Sequence, residues 1–365
     1  MKIGIITLYG NFNYGNRLQN YALQEVLLNM GCEVSTLVGC LKINFIKKIL
    51  KKYLERRGGK IKIKDLNEIK REKIFFKFTQ KNIKTEFFYN SKKLLPDRLN
   101  DDFDYFIVGS DQVWNPKFWN KEGSDKNNFL MSFALPEKRI SYAASFGISK
   151  LPKEWEDIFK KELMQYKKIS VREITGKEII KELYEKEALV VLDPTMLLSK
   201  KEWKKIEEKP SFKINKKYIF SFFLGKKSSE VESYLKSISN DRNLEIIDLM
   251  DKNNTKTYIS NPGNFLYLLN QAELIITDSF HATVFSIIFH KPFIALKREQ
   301  KGMADMSDRI TTLLKKFKLE ERGKLLDENL IFNCNFNVVD KILEEERKIS
   351  LEYLKESLNL NRFME

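Results

Sequence analysis

Short apolar runs, each closed by a polar turn and followed by a helix-length stretch, recur along this sequence, and that rhythm restricts the fold more than any other feature. The opening shows it plainly. Ile3 to Leu8 is a strand-like run, and the polar turn Tyr9-Gly-Asn-Phe-Asn-Tyr-Gly-Asn16 follows. A helix is predicted from about Arg17 to Met30, with Leu18, Ala22 and Val26 at four-residue intervals on one face. Gly31 stops it and Glu33 to Val38 returns as a strand. A β-loop-α-β unit of this kind opens a doubly wound parallel sheet.

Strand character resumes at Asp104–Gly109, Arg139–Ala144, Lys168–Arg172 and Leu189–Leu192, separated by helical stretches or loops. A second alternating set runs through Tyr218–Leu224, Leu244–Asp248, Glu273–Thr277 and Pro292–Leu296, with a helix from Ala282 to Phe289 between the last two. Repeated alternation argues α/β rather than α+β. At 365 residues two domains with separate cores are the natural prior. The expected fold is therefore two Rossmann-like α/β domains facing a cleft, an architecture like that of the glycosyltransferase-B class. The first domain spans 1–200 and the second 201–335. Val339, Ile342 and Leu343, at helical spacing, predict a closing amphipathic helix within 336–365.

Charge needs the count along the chain. Lys and Arg number 65 against 50 Asp and Glu, a formal +15. From Lys42 to Lys84 there are 16 basic and four acidic residues, net +12, so the other 322 residues carry only +3. This predicts a basic helical insertion at about 42–84 in the first domain. It reads either as a solvated helix or as a surface for anionic lipid or an acidic glycan, with peripheral membrane contact as the functional form. No recognition motif accompanies the charge, so nucleic acid is not an expected partner. No apolar run approaches the roughly 20 residues of a membrane span. Cys32, Cys40 and Cys334 lack paired spacing, which indicates neither a disulfide framework nor a zinc site and makes a reduced, cytoplasmic setting the expectation. No Gly-x-Gly-x-x-Gly or Walker loop and no metal-ligand spacing appear, so no cofactor and no metal are expected.

The densest polar cluster at a strand end is Thr277-Asp-Ser-Phe-His-Ala-Thr283. It follows an apolar strand and opens an apolar helix, whose first N–H groups and partial positive charge make an anion site. Asp278 or Ser279 would cap that helix, and capping alone would account for both. His281 falls in its first turn, and the chain has only two histidines. His290, at the far end, reads as a charge on the helix C-terminus.

Asp278-Ser-Phe-His281, Gly10-Asn-Phe-Asn-Tyr-Gly-Asn16, Gly109-Ser-Asp-Gln-Val-Trp-Asn-Pro116, Ser141-Tyr-Ala-Ala-Ser-Phe-Gly147, Ser170-Val-Arg-Glu173, Asp193-Pro194 and Ser307-Asp-Arg-Ile-Thr-Thr-Leu-Leu314 occur in that family's order: together they resemble the polysaccharide pyruvyl transferase family over about Lys2 to Leu314. The resemblance implies a glycosyltransferase-B-like fold and transfer of a pyruvyl group from phosphoenolpyruvate to hydroxyls of a sugar in a cell-surface polysaccharide or its lipid-linked precursor, leaving a ketal.

That chemistry needs a proton donor with a pKa near operating pH, for which His281 is the candidate. The donor's phosphate and carboxylate need cations and N–H groups. Ser279, Phe280 and His281 would supply the helix start, and Arg172 and Arg309 the charge, with a local ion pair to Glu173 and a surface helix position as their bland readings. Asp111 and Gln112, just past a strand, would meet acceptor hydroxyls, Asp111 also as base, unless they form only an Asx-turn. Asn13, Tyr14 and Asn16 in the first loop would join the acceptor side, and Trp114 would be a sugar platform or a buried aromatic. Two rivals stand beside this reading: a nucleotide-sugar glycosyltransferase, disfavoured because the helix at 281–290 lacks an acid to hold a ribose, and a non-catalytic glycan- or membrane-binding member.

Overall fold

The computed structural model describes residues 1–10, 12–41, 66–119, 124–184, 187–298 and 308–360. The first half is built on five parallel strands: β1 (Lys2–Ile6), β2 (Glu33–Leu41), β3 (Thr85–Asn90), β4 (Tyr105–Val108) and β5 (Arg139–Ser141), in the order β3-β2-β1-β4-β5. Bridges from Ile140 to Lys168 and from Ala144 to Val171 carry that sheet on to the parallel pair β6 (Ser170–Val171) and β7 (Leu189–Val190). The second half holds β8 (Tyr218–Phe222), β9 (Glu245–Asp248), β10 (Leu274–Thr277) and β11 (Phe293–Ala295), all parallel, in the order β11-β10-β8-β9. Strands such as β8 and β10 are buried at every position, which is why they read as unbroken apolar runs rather than alternating ones.

The longer helices are α1 (Tyr14–Asn29), α2 (Leu66–Asn82), α3 (Lys153–Leu163), α4 (Ile174–Tyr184), α5 (Ser229–Asp241), α6 (Pro262–Gln271), α7 (Phe280–Ile288), α8 (Asp308–Lys316) and α9 (Asn337–Ser357). None of the described helices is long and apolar enough to cross a membrane.

Two expectations change here. The basic segment is not an insertion where it is described: α2 joins β2 to β3, which pair in parallel and therefore need a crossover. Phe75 and Phe78 of α2 are buried, and the guanidinium of Arg71 stacks over Tyr14 and Tyr258. The remainder of that segment, 42–65, lies outside the described residues. The expectation of separate cores holds only in part: one cluster, with Val108, Trp114 and Phe159, lies wholly in the first half and another, with Ile219, Leu235 and Ile276, wholly in the second, but a third joins the halves. The third takes in Ile3 and Leu18 from the first half, Phe220, Phe265 and Phe285 from the second, and Leu343 and Leu354 of α9. α1 sits between the halves and is buried nearly all round, so its polar residues are satisfied internally: Gln19 donates to Thr7 Oγ1 (2.8 Å) and accepts the Ser110 N–H (3.0 Å).

α9 leaves the second half and returns to the first. Tyr353 Oη donates to the Ser141 carbonyl (2.8 Å), Ser350 Oγ accepts the Leu192 N–H (3.0 Å), and Arg347 holds the carbonyls of Met196 and Leu198.

Candidate functional site

The strand ends of both halves converge where α7 begins. Ser279 is the N-cap of α7, its Oγ accepting the Ala282 N–H at 3.5 Å, which leaves the N–H groups of Phe280 and His281 without intrahelical partners. Asp278 does not cap. Its two oxygens take the N–H groups of Leu224 and Gly225, both at 2.7 Å, and tie the loop after β8 to the loop after β10. Arg298 Nε reaches the same carboxylate at 3.2 Å.

Asp193, immediately after the β7 run, organises the other side. Its Oδ1 accepts the Thr195 N–H (3.0 Å) and hydroxyl (2.6 Å), and its Oδ2 accepts Ser110 Oγ and Arg172 Nη1, both at 2.8 Å. The His281 Nε2 lies 3.7 Å from that Oδ2, close enough to feel its charge but longer than a hydrogen bond. Burial alone would push the Asp193 carboxyl up; His281, then Arg172 and Thr195, outweigh it and hold the group well below the usual carboxylate range.

Arg172 is buried and surrounded by acids. Beyond the Asp193 bond, its Nε stands 3.7 Å from Glu173 Oε2 and its Nη2 3.8 Å from Asp111 Oδ1, and neither nitrogen has a hydrogen-bond partner. Burial opposes its charge, but Asp193, Glu173 and Asp111 more than compensate and raise its pKa. Glu173 Oε1 is itself fixed by Ser145 Oγ and the N–H groups of Phe146 and Gly147. Arg309, on α8, comes to the same place. Its guanidinium stands 5.9 Å from the Phe280 ring centroid, while that of Arg172 stands 4.5 Å from it. Burial, and next the charge of Arg172, lower the Arg309 pKa to about 10. Two buried cations thus crowd one aromatic ring beside a histidine whose Nε2 has no hydrogen-bond partner.

The His281 ring is seated by α1. A Cβ on Gly15 would fall 2.0 Å from His281 Nδ1, so only glycine fits at that position. Around the corner, a cavity of about 790 Å³ opens at the C-terminal ends of β1, β2 and β4. Asn13, Asn16, Asp111 and Gln112 line it. Asp111 takes a left-handed backbone (φ +63°), a conformation aspartate tolerates, and its Oδ1 accepts the Gln112 N–H at 2.9 Å.

The structure therefore brings together His281, Phe280, Ser279, Arg172 and Arg309 on one side, and Asn13, Asn16, Asp111 and Gln112 on the other. It removes two residues from the acceptor side. Tyr14 is buried in the interface between halves, stacked on Phe265 at 4.7 Å with its hydroxyl on the Ser260 carbonyl. Trp114 is fully buried, packed on Phe146 with its Nε1 on the Phe129 carbonyl. The Ser279 Oγ caps α7 as an acceptor, which leaves its hydroxyl proton available to donate. His290 bonds Asp340 of α9 at 2.7 Å and stacks on Phe336, far from this site.

Arg298, the central position of Asp193 and the aromatic rim of the cavity are not among the residues expected from the sequence. Asp193 was legible on the same ground as Arg172, a charge directly after an apolar strand. The rim residues Phe12, Tyr89 and Phe118 are 49%, 64% and 46% exposed, and no spacing brings them together in sequence. Among the described residues no group of three His, Cys, Asp or Glu side chains has the arrangement of a metal site.

Two parallel α/β units meeting at a charged cleft, with a terminal helix that crosses back, define a two-domain protein of the glycosyltransferase-B-like class. Within it, the profile of the polysaccharide pyruvyl transferase family matches residues 13–300, and the chain belongs to that family. No curated protein matches the sequence. Solved structures of similar outline include a UDP-GlcNAc 2-epimerase from Neisseria meningitidis (11% identity over 98% of this chain and 100% of that one, TM-score 0.45) and one from Methanocaldococcus jannaschii (13%, 94% and 100%, TM-score 0.44). MurG from Acinetobacter baumannii is another (10%, 98% and 99%, TM-score 0.39).

Proposed function

We propose that this chain moves a pyruvyl group from phosphoenolpyruvate to two hydroxyls of a glycan acceptor, free or lipid-linked. One observation carries the reading: Arg172 and Arg309, from opposite halves, crowd the Phe280 ring beside His281 at the start of α7. Unbonded N–H groups of a buried guanidinium and a repelling second cation favour a small, multiply charged anion there. The absence of any acid along α7 favours a compact donor over a nucleoside.

In this reading the donor's phosphate and carboxylate lie between the two arginines and the first N–H groups of α7. His281 gives a proton to C3 of the enol, which becomes the methyl group, while an acceptor hydroxyl attacks C2 and yields its proton to Asp111. A second hydroxyl then displaces phosphate from C2, and its proton leaves with the phosphate. Two hydroxyls and phosphoenolpyruvate become one ketal and inorganic phosphate. Asp193 keeps Arg172 in place and sets a fixed negative charge near the imidazole as it changes protonation.

The test is incubation with phosphoenolpyruvate and a panel of lipid-linked and nitrophenyl glycans, following phosphate release and ketal mass. The expected outcome is stoichiometric phosphate and ketal. Consumption of a UDP-sugar with phosphoenolpyruvate ignored would replace this reading with glycosyl transfer.

A further inference from the structure

Beneath the cavity lies a cation that the chemistry above does not use. Arg17 is fully buried, its Nη1 has no hydrogen-bond partner, and the charge of Asp111 acts on it without a direct ion pair among the described residues. Its Nε donates to Asn16 Oδ1 at 3.0 Å, and its Nη2 donates both to that oxygen and to the Leu8 carbonyl, the latter at 2.6 Å. Its plane lies over the Tyr9 ring, 4.6 Å from the centroid. Burying an unpaired charge is costly, and an apolar side chain would fill the space at less expense in stability. The geometry is what only arginine supplies: a planar fork that grips one amide oxygen and one carbonyl together.

That grip decides which way Asn16 faces. With its oxygen held by Arg17, its Nδ2 is turned to Asp111 Oδ2 at 3.3 Å, while Asp111 Oδ1 is already taken by the Gln112 N–H. One residue earlier, Gly15 is the surface on which the His281 ring rests. The first turn of α1 therefore touches both groups assigned to proton transfer, one from each half, and the carbonyl of Leu8 ties that turn to the loop after β1.

We infer that Arg17 is a positioning residue, which clamps the first turn of α1 so that Asp111, through Asn16, and His281, against Gly15, keep a fixed separation across the cleft. This rests on the phosphoenolpyruvate reading. The turn acts as a spacer between the proton donor and the proton acceptor, and Arg17 touches neither substrate.

The experiment measures phosphate release by the full chain carrying Arg17→Lys, Asn16→Leu or both. A misplacement of about 1 Å costs on the order of 100-fold. Each single variant is expected to lower kcat roughly 10- to 100-fold with KM for phosphoenolpyruvate within about twofold. The double variant is expected to fall no further than the worse single one, because both break the same linkage. A residue serving packing alone would lower Tm and leave kcat unchanged. Arg17→Lys with near wild-type kcat, or single losses that multiply in the double variant, would overturn the inference. Arg17→Met, which keeps the stem and removes the fork, replaces Arg17→Lys if that variant does not fold. If the wild-type chain releases no phosphate with any acceptor, the reading of function falls, and amide exchange at Gln112 decides the clamp. Exchange accelerated by the Arg17 substitution sustains it, and an unchanged rate sinks it.

Discussion

The donor-side cluster and the acceptor cavity lie next to each other and are built on opposite plans. Around α7 every side chain assigned to the donor is at most 9% exposed, and the charges are interlocked: Asp193 with Arg172, Glu173 with Arg172, Asp278 with Arg298. The cavity has half-exposed aromatic walls and, facing it, amides and one carboxylate. The contrast tells what each can hold. A sealed cluster with unbonded N–H groups suits a small anion that is wholly enclosed, where each contact is strong because water is excluded. An open, aromatic-rimmed cavity of about 790 Å³ suits a larger, mostly solvated ligand gripped by many weak contacts.

Substitutions that fall on one side only test that division. The largest effect is expected at His281: His281→Ala should slow phosphate release by about 1,000-fold, within the range for loss of a general acid. Gly15→Ala should approach the same loss from across the cleft, since its Cβ would displace the ring. Stopped-flow or discontinuous phosphate assays measure both, and a loss below tenfold in His281→Ala removes the assigned proton donor.

Next is acid stability. Asp193 is held well below the unfolded value of about 3.9, so its contribution is fully present above that pH and is lost progressively as pH falls below about 4. Breaking a buried pair costs about 3–5 kcal/mol. Urea midpoints of the wild type should therefore hold down to about pH 4 and fall steeply from there toward about pH 2, whereas Asp193→Asn should start lower and show a flatter dependence. Parallel curves for the two proteins would mean that the donor cluster is not held together by Asp193.

The smallest effect is expected at the rim. Tyr89→Ala removes a 64% exposed ring and should raise KM for the acceptor about 3- to 10-fold, from a stacking contribution of roughly 0.5–1.5 kcal/mol. KM for phosphoenolpyruvate and Tm should stay put. If KM for phosphoenolpyruvate moves instead, the two sides are not separate.

The strands could be read because parallel strands buried on both faces leave unbroken apolar runs, and Tyr218–Phe222 and Leu274–Thr277 fall inside the runs expected for them. β3 could not, since Thr85–Asn90 is only partly buried and carries no such run. Arg172 and His281 were visible as polar residues where packing gives no reason for them. Tyr14 and Trp114 misled because a loop aromatic reads the same whether it faces a ligand or, as here, is buried, Tyr14 between the halves and Trp114 within the first half's core. The linkage of Arg17 to Asp111 through Asn16 joins residues 95 positions apart at its second step, and sequence carries no trace of such a contact. The shared core was hidden for the same reason: α1 reads as amphipathic, and only packing from the second half buries its remaining faces.

The return of α9 also has a consequence for how the chain is made. The Ser141 carbonyl, the Leu192 N–H and the adjoining apolar flank of the first half find their partners on residues 337–357. Those partners are translated about 145 residues after Leu192. At synthesis rates of about 5–20 residues per second, the first half leaves the ribosome with that flank bare for roughly 7–30 s before the helix that covers it exists.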